Sequence, residues 1–510
     1  MGKYGRRKRH GHGHDHNNES SYKKPQHHSL SSSSSSAAAA ATTTTAYPNK
    51  HPTFPSYLET PNLSPKIKLL CEIIAKIPSS TVETILDETG LYVSQYDVEQ
   101  VIKLSYSFPG PAVKFFRWAG FRLQDNHSPY SWNLVVDLLG KNCLFDAMWD
   151  AIKSMKSKEL VSLATFASVF GSYVTAGRVK DAIFTFEVMN QYGVVRDVVA
   201  LNSLLSAICR DGKTVDAVDF LFVAKNSIKP DADTFAILLE GWEKELNLVN
   251  SRQTFDEMVR EIGWDPANTP AYDTFLCTLL MGRIGFNEVI EFLEIMKEKR
   301  CCPGMRFFRA AIEECLKVND VRVAGLIWEV MMETNGFRPD IEMYNLMISL
   351  YCYTNNTDIA LRFLDEMVYN GVFPDRQTYN LLFQFLIKSR KLKEASVLFN
   401  EMIKNECLPN QANCSAAVRV FMHSKDPYMA IKVWKCMIEN YELDLEETGN
   451  LLIVELCDLH MDPEAVKYAE SMIGKGIKVT SPTMEKLKLC LKQARKEFVY
   501  ERLLRKWKAG

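Results

Sequence analysis

The sequence holds little that announces chemistry. Its thirteen cysteines contain no C-x-x-C pair and stand singly apart from the neighbours Cys301 and Cys302, which excludes the common zinc frameworks and suits a reducing compartment. A G-x-x-x-x-G-K phosphate loop is missing, so neither a nucleotide cofactor nor a small-molecule substrate is expected. No apolar run reaches the ~18 residues that a spanning helix needs, and no membrane partner is expected. An excess of one charge is lacking as well. With 61 Lys and Arg against 62 Asp and Glu, nothing in the bulk composition points to nucleic acid.

What is present begins with an unusual first segment. Residues 1–62 run through RRKRHGHGHDH, SSSSSS, AAAAA and TTTT, and they hold eight of the Lys and Arg but only three acids, Asp15, Glu19 and Glu59. Such a segment has too little apolar surface to fold and is expected to be a disordered tail. Basic, Ser-rich and acid-poor, it has the character of an organellar transit peptide, with nuclear import through RRKR as the alternative. The alternating His10, His12, His14 and His16 are expected to be solvated, not a metal site, because an unstructured tail offers no fixed geometry. Removing this tail leaves residues 63–510 slightly acidic.

The rest of the chain repeats itself. RPDIEMYNLMI at 338–348 returns as FPDRQTYNLLF at 373–383, and units can be set to begin at Pro129, Leu163, Val198, Ala232, Thr269, Met305, Ile341, Arg376, Gln411 and Glu446. The period is close to 35. Inside the unit at Arg376, Tyr379, Leu382, Phe383 and Leu386 fall on one face of a first helix, and Ala395, Leu398, Phe399 and Met402 on one face of a second. Lys388-Ser389-Arg390-Lys391 separates the two helices, and Pro409 ends the unit. Ala182, Ala217, Ala324, Ala360, Ala395, Ala430 and Ala465 recur at one position of the unit, and Met155, Met189, Met258, Met331, Met367, Met402, Met437 and Met472 at another. Recurrence at a fixed position identifies both columns as core between repeats, not as a Met-rich groove.

The expected fold is therefore all-α: an α-solenoid of about ten 35-residue helix-turn-helix repeats forming a superhelix, over 129–480. Residues 63–128 are expected to form an N-terminal helical cap that includes a divergent hairpin at 91–128. Residues 481–510 would supply a C-terminal capping helix or helix pair.

The period, the turn followed by IEMYN, RQTYN, VVALN and PYSWN, and the unit endings in Pro-Asp or Pro-Asn together resemble the pentatricopeptide repeat family. The W-x-x-L-G-x-x-Y first helix of tetratricopeptide repeats is not found. The resemblance implies single-stranded RNA as the partner, one nucleotide per unit, read by the fifth residue of a unit together with its last. It implies uridine readers in Asn202 with Asp231 and in Asn345 with Asp375, and a cytidine reader in Asn380 with Asn410. Since family arrays run with their N-terminal units toward the RNA 5′ end, the units at 341 and 376 would prefer 5′-UC-3′. The pairs Asn133/Ser162, Ala167/Asp197, Ala236/Asn268, Asp273/Gly304, Arg309/Asp340, Ser415/Leu445 and Asn450/Thr480 depart from the usual ones. Only Val199 supplies the valine that family members place at the second position against a base.

The thirteenth residues form a basic column, Lys141, Arg210, Lys244, Lys317 and Lys388, with His423 in a further unit. Family members contact phosphates there. Each of these features has a plain structural alternative: Asp and Asn suit helix caps and turns, and cations suit helix C-termini.

Some members of the family carry a catalytic extension. The H-x-E and P-C-x-x-C motifs of zinc deaminases are absent, and no enzyme activity, cofactor or metal is expected. The resemblance thus implies RNA binding that supports processing, stability or translation in an organelle, a mitochondrion first, with chloroplast or nucleus as alternatives. A scaffold that holds ribosomal or other RNA-metabolism proteins, or a nuclear regulator bound to a transcription-related protein, remains the other reading.

Overall fold

The computed structural model describes residues 54–282, 285–333 and 337–509. Residues 1–53 of the segment expected to be a tail and transit peptide, with the RRKR run and the four alternating histidines, lie outside these residues. The described chain is built from twenty-six α-helices and one 3-10 turn, with no strand, so the expected α-solenoid is borne out. First helices start at Pro129, Leu163, Val198, Ala232, Thr269, Met305, Ile341, Arg376, Gln411 and Glu446. Each packs on the first helix before and after it, and each is followed by an antiparallel second helix.

One unit explains the rest. The helix Arg376–Lys388 starts because the Asp375 carboxylate accepts the Thr378 backbone N–H at 2.8 Å while the Thr378 hydroxyl accepts the Asp375 N–H at 3.3 Å, a reciprocal cap that satisfies two otherwise orphaned donors. It buries Tyr379, Leu382, Phe383, Leu386 and Ile387. It stops at Ser389, where Arg390 turns left-handed at φ 56° and sends the chain back. The second helix, Leu392–Lys404, then buries Ala395, Leu398, Phe399 and Met402. A second left-handed residue, Glu406, lets the Cys407 N–H close on the Met402 carbonyl at 2.9 Å before Pro409 and the next cap, Asn410.

All members of the alanine and methionine columns are fully buried. Small and flexible apolar side chains alternate there, which lets neighbouring helices approach and leaves few gaps. In the unit at Thr269, Met296 stands one residue further along and is also buried.

The hairpin pattern continues past both ends of 129–480. Before it come helices Pro65–Lys76, Val82–Glu88, Gln95–Lys103 and Pro109–Arg122, and after it the pair Ser481–Gln493 and Glu497–Ala509. The folded part also reaches back into the segment expected to be tail. Tyr57 is buried, and Phe54 lies with its ring centroid 5.4 Å from that of Tyr106.

The tyrosine of the repeated Tyr-Asn is pinned by the second helix of its own unit. The buried Tyr379 hydroxyl donates to Glu401 at 2.8 Å and accepts from Asn405 Nδ2 at 2.9 Å, and Tyr344 repeats this with Glu366 and Asn370. Burial first, and then the Glu401 hydrogen bond, pushes the Tyr379 phenol up to about 12, so it keeps its proton. Replacing Tyr379 by Phe is expected to cost about 1–2 kcal/mol, from one charge-assisted bond and one stranded amide. Urea unfolding should show the loss, and an unchanged midpoint would mean that the pin contributes nothing.

Candidate nucleic-acid interface

The last residue of every unit is the N-cap of the next first helix: Ser162, Asp197, Asp231, Asn268, Gly304, Asp340, Asp375, Asn410, Leu445 and Thr480. In six units, closed by Ser162, Asp197, Asp231, Asp340, Asp375 and Asn410, its partner in the cap is the third residue of the next unit. In the units at Val198 and Ile341 the fifth residue reaches the same point, so three side chains from two units meet there.

In the unit at Val198, Asn202 Nδ2 donates to Asp231 Oδ1 at 3.0 Å, and Thr234 donates its hydroxyl to Asn202 Oδ1 at 2.7 Å. Burial opposes the charge on Asp231, but hydrogen bonds from Asn202 and from the Thr234 amide outweigh it and hold the carboxyl below its ordinary range. In the unit at Ile341, Thr378 donates to Asn345 Oδ1 at 2.6 Å and sits 2.8 Å from Asp375 Oδ1. Asn345 Nδ2 has no acceptor among the described residues. In both units every bond to the aspartate falls on Oδ1, leaving Oδ2 without a donor. Each of these two sites therefore offers one amide N–H beside one carboxylate oxygen.

The third expected pair is arranged differently. Asn380 Nδ2 turns back onto its own helix, donating to the Arg376 carbonyl at 2.8 Å and more distantly to that of Leu408, and Asn380 Oδ1 accepts the Asn410 N–H at 2.6 Å. Asn413 stands where the other two units have threonine, and it donates to the Asn380 carbonyl and amide oxygen. Both ends of the Asn380 amide are thus occupied by protein. Asn450 does the same, between the Glu446 and Lys478 carbonyls and the Thr480 N–H.

Two further units spend their fifth residue on the cap itself. Asp273 accepts the Gly304 N–H, in a space so close that a Cβ on Gly304 would lie 2.7 Å from Asp273 Oδ2. Arg309 is paired with Asp340 and Glu342. Arg306 forks onto Glu243 at 2.6 Å and donates to Thr274 at 3.0 Å, bridging over the intervening unit.

The basic column lies at the ends of the first helices and is exposed. Lys141 is paired with Asp137 at 2.7 Å and Lys317 with Glu314, while Lys244 donates to the Arg210 carbonyl. Arg210 and Lys388 have no carboxylate partner among the described residues, although Lys388 stands 5.6 Å from the centre of the Phe385 ring. Arg210 borders a cavity of about 420 Å³ between the first helices at Leu163 and Val198, walled by Ala167, Gly171, Ser203 and Ala207.

One triad had no signature in the sequence. Ser128 donates to Glu99 at 2.7 Å, and Ser131 lies 2.9 Å from Ser128, repeating the fifth, last and third positions one unit before Pro129. The only signal available was the 34-residue offset to Asn133, since no Tyr-Asn precedes Glu99. Among the described residues no group of His, Cys, Asp and Glu is gathered as metal ligands would be, and no helix is long and apolar enough to cross a membrane. Burial pushes the Cys209, Cys277, Cys315 and Cys352 thiols up to about 12, so they pack as protonated core.

An α-solenoid whose units share caps with a fifth-residue side chain is a helical repeat protein. Family profiles described as PPR repeat family, pentatricopeptide repeat domain and PPR repeat match residues 339–388, 364–421 and 130–160. Residues 130–160 and 339–421 therefore match pentatricopeptide repeats. The chain is 31% identical over 175 residues to the mitochondrial pentatricopeptide repeat-containing protein At1g77360 of Arabidopsis thaliana, which is 34% of each chain. Its identity to the mitochondrial At3g22670 of the same plant is 31% over 198 residues, 38% of this chain and 35% of that one. The matched part thus spans about a third of the length of these relatives. Among solved structures, PPR10 in complex with an 18-nt psaJ RNA element is similar with a TM-score of 0.42 at 18% identity, covering 87% of this chain and 74% of that one.

Asp273 yields a pH prediction. Burial raises its carboxyl to about 6 against hydrogen bonds from the Gly304 and Phe307 amides and the charge of Arg306. A carboxyl whose folded value lies above its unfolded value favours the fold while protonated, so stability falls as pH rises from about 4 to about 6 and stays lower above that. Asp273→Asn keeps the acceptor and removes the charge. It should stabilise the protein by up to ~3 kcal/mol at pH 8 and hardly at all at pH 4, as read by thermal unfolding at both values.

Proposed function

We propose that this protein binds single-stranded RNA through the first-helix face of its repeats, acts in a mitochondrion, and supports RNA processing, stability or translation by occupancy without chemistry. The observation that carries this reading is the donor–acceptor edge repeated in two units. Asn202 with Asp231, and Asn345 with Asp375, each set an amide N–H beside a free carboxylate oxygen. A uracil edge answers both at once, with a carbonyl oxygen for the amide and the N3–H for the carboxylate. Cytosine meets the carboxylate with an unprotonated N3 and is repelled. The pentatricopeptide repeat matches and the similarity to mitochondrial relatives support the same reading.

The edge predicts uridine at two positions four nucleotides apart, facing the units at Val198 and Ile341. No fixed base is expected opposite the unit at Arg376, where the Asn380 amide is occupied. Two such sites give about 2–6 kcal/mol of discrimination at most, by analogy with paired contacts to DNA bases. Selecting bound RNAs from a random pool tests this. A pool without paired uridines rejects the assignment, and recovery of proteins in place of RNA favours the scaffold reading, for which Asp273 and Arg309 speak because both are spent on protein contacts.

Phosphate contacts are testable separately. Arg210 and Lys388 are the members of the basic column with neither an acidic nor a carbonyl partner. Replacing both by Ala should flatten the slope of log affinity against log salt by about 1.4, at ~0.7 per phosphate, and weaken all sequences alike. An unchanged slope places the phosphates elsewhere.

A further inference from the structure

We infer that the threonine at the third position of the following unit is the positioning residue that sets which base the preceding asparagine accepts. Thr234 does so for Asn202 and Thr378 for Asn345, a deepening that rests on the RNA reading above. An asparagine side chain can present either its amide N–H or its amide oxygen, two nearly isosteric faces with opposite meaning to a base. Something else must choose between them.

The threonine hydroxyl has one proton and stands at the centre of each cluster. In the unit at Ile341 it accepts the Asp375 N–H at 3.3 Å and lies 2.8 Å from Asp375 Oδ1 and 2.6 Å from Asn345 Oδ1. Asp375 Oδ1 already receives the Thr378 backbone N–H at 2.8 Å, whereas Asn345 Oδ1 has no other donor among the described residues. The hydroxyl proton therefore goes to Asn345, and the amide oxygen is held inward. The nitrogen faces out by exclusion. Thr378 is fully buried, so water does not replace its hydroxyl.

At Asn202 the same choice is made twice, because Asp231 Oδ1 also accepts from Nδ2 at 3.0 Å and would repel an amide oxygen placed there. Asn345 has no such second restraint, so Thr378 alone orients it. A third case carries the argument outside the usual pairs: Thr165 donates to Asn133 Oδ1 at 2.7 Å, and Asn133 thereby presents an N–H as well, although Ser162 and not Asp closes its unit. Asn380, followed by Asn413, turns onto its own helix. So does Asn450 before Thr483, whose hydroxyl lies 2.9 Å from that of Thr480 and makes no bond to Asn450. The threonine therefore orients the asparagine only where its hydroxyl reaches the amide oxygen.

The test uses the full chain and a random RNA pool, with wild type, Thr378→Val, Thr378→Ser and Thr234→Val. Valine keeps the shape and removes the hydroxyl; serine keeps the hydroxyl. Thr378→Val is expected to lower the uridine-over-cytidine preference facing Asn345 about tenfold, while the uridine facing Asn202 and the salt slope stay as in wild type. Serine should restore the preference, and Thr234→Val should have the smaller effect because Asp231 still orients Asn202. The uridine facing Asn202 reports that the Thr378→Val protein is folded, and if that variant fails to fold, Thr234→Val and Thr378→Ser decide between partial loss and retention. Full uridine preference in both valine variants overturns the inference alone. No base selection by wild type overturns the RNA reading and this inference with it.

Discussion

The N-cap of each first helix is the contact on which the array depends. A helix of thirteen residues begins with four N–H groups that its own turns cannot satisfy, and in six of the ten units the chain answers with the side chain that closes the previous unit. Asp375 on Thr378, Asp231 on Thr234 and Asp340 on Met343 are the same device. Because the cap belongs to one unit and the helix to the next, each cap also ties the units together. The joint fixes the position of the next hairpin, and with it the spacing of the fifth residues along the first-helix face.

Helix capping and the proposed base reading are for this reason not rival explanations of the same residues. An aspartate that caps through Oδ1 keeps Oδ2 free, and an asparagine beside it keeps an N–H free, so one pair serves both ends. Where the closing residue cannot cap with a side chain, the balance shifts toward structure. Gly304 brings no side chain, and Asp273 moves in to accept its N–H, which leaves a buried carboxylate in place of an open edge. The fifth residue is then consumed by the joint it would otherwise merely border.

The fold was legible because period and caps agree. Every first helix starts at the residue where the repeat places it, and the alanine and methionine columns are core throughout. Both signals are local in sequence and repeated many times, so single deviations did not obscure them. The site was less legible, because the fate of a fifth residue is decided about 33 positions away. Asn345 and Asn380 look alike in sequence, yet one faces Thr378 and the other Asn413. Lys141 and Lys317 likewise fell in the basic column, and what spends them is an acid three or four residues earlier on the same helix. The end of the tail was hidden for a different reason: Phe54 is an isolated aromatic whose partner, Tyr106, comes about fifty residues later, and the nearby Tyr57 is buried as well.

The charge on the first-helix face follows the same logic of partial occupation. Arg306, Arg309 and Arg419 are paired with Glu243, with Asp340 and Glu342, and with Glu447. Surface pairs of this kind contribute at most about 1 kcal/mol each, whereas a phosphate offers a guanidinium the same fork without a loss of charge pairing. The acids beside them then lose their partners and repel the strand. On the RNA reading proposed above, a strand along this face would exchange one set of ion pairs for another near the units at 269 and 305, while Arg210 and Lys388, in the units at 198 and 376, have no carboxylate partner among the described residues. On the same reading the two asparagine–aspartate edges, in the units at Val198 and Ile341, flank that stretch, and the units between them would serve as a spacer.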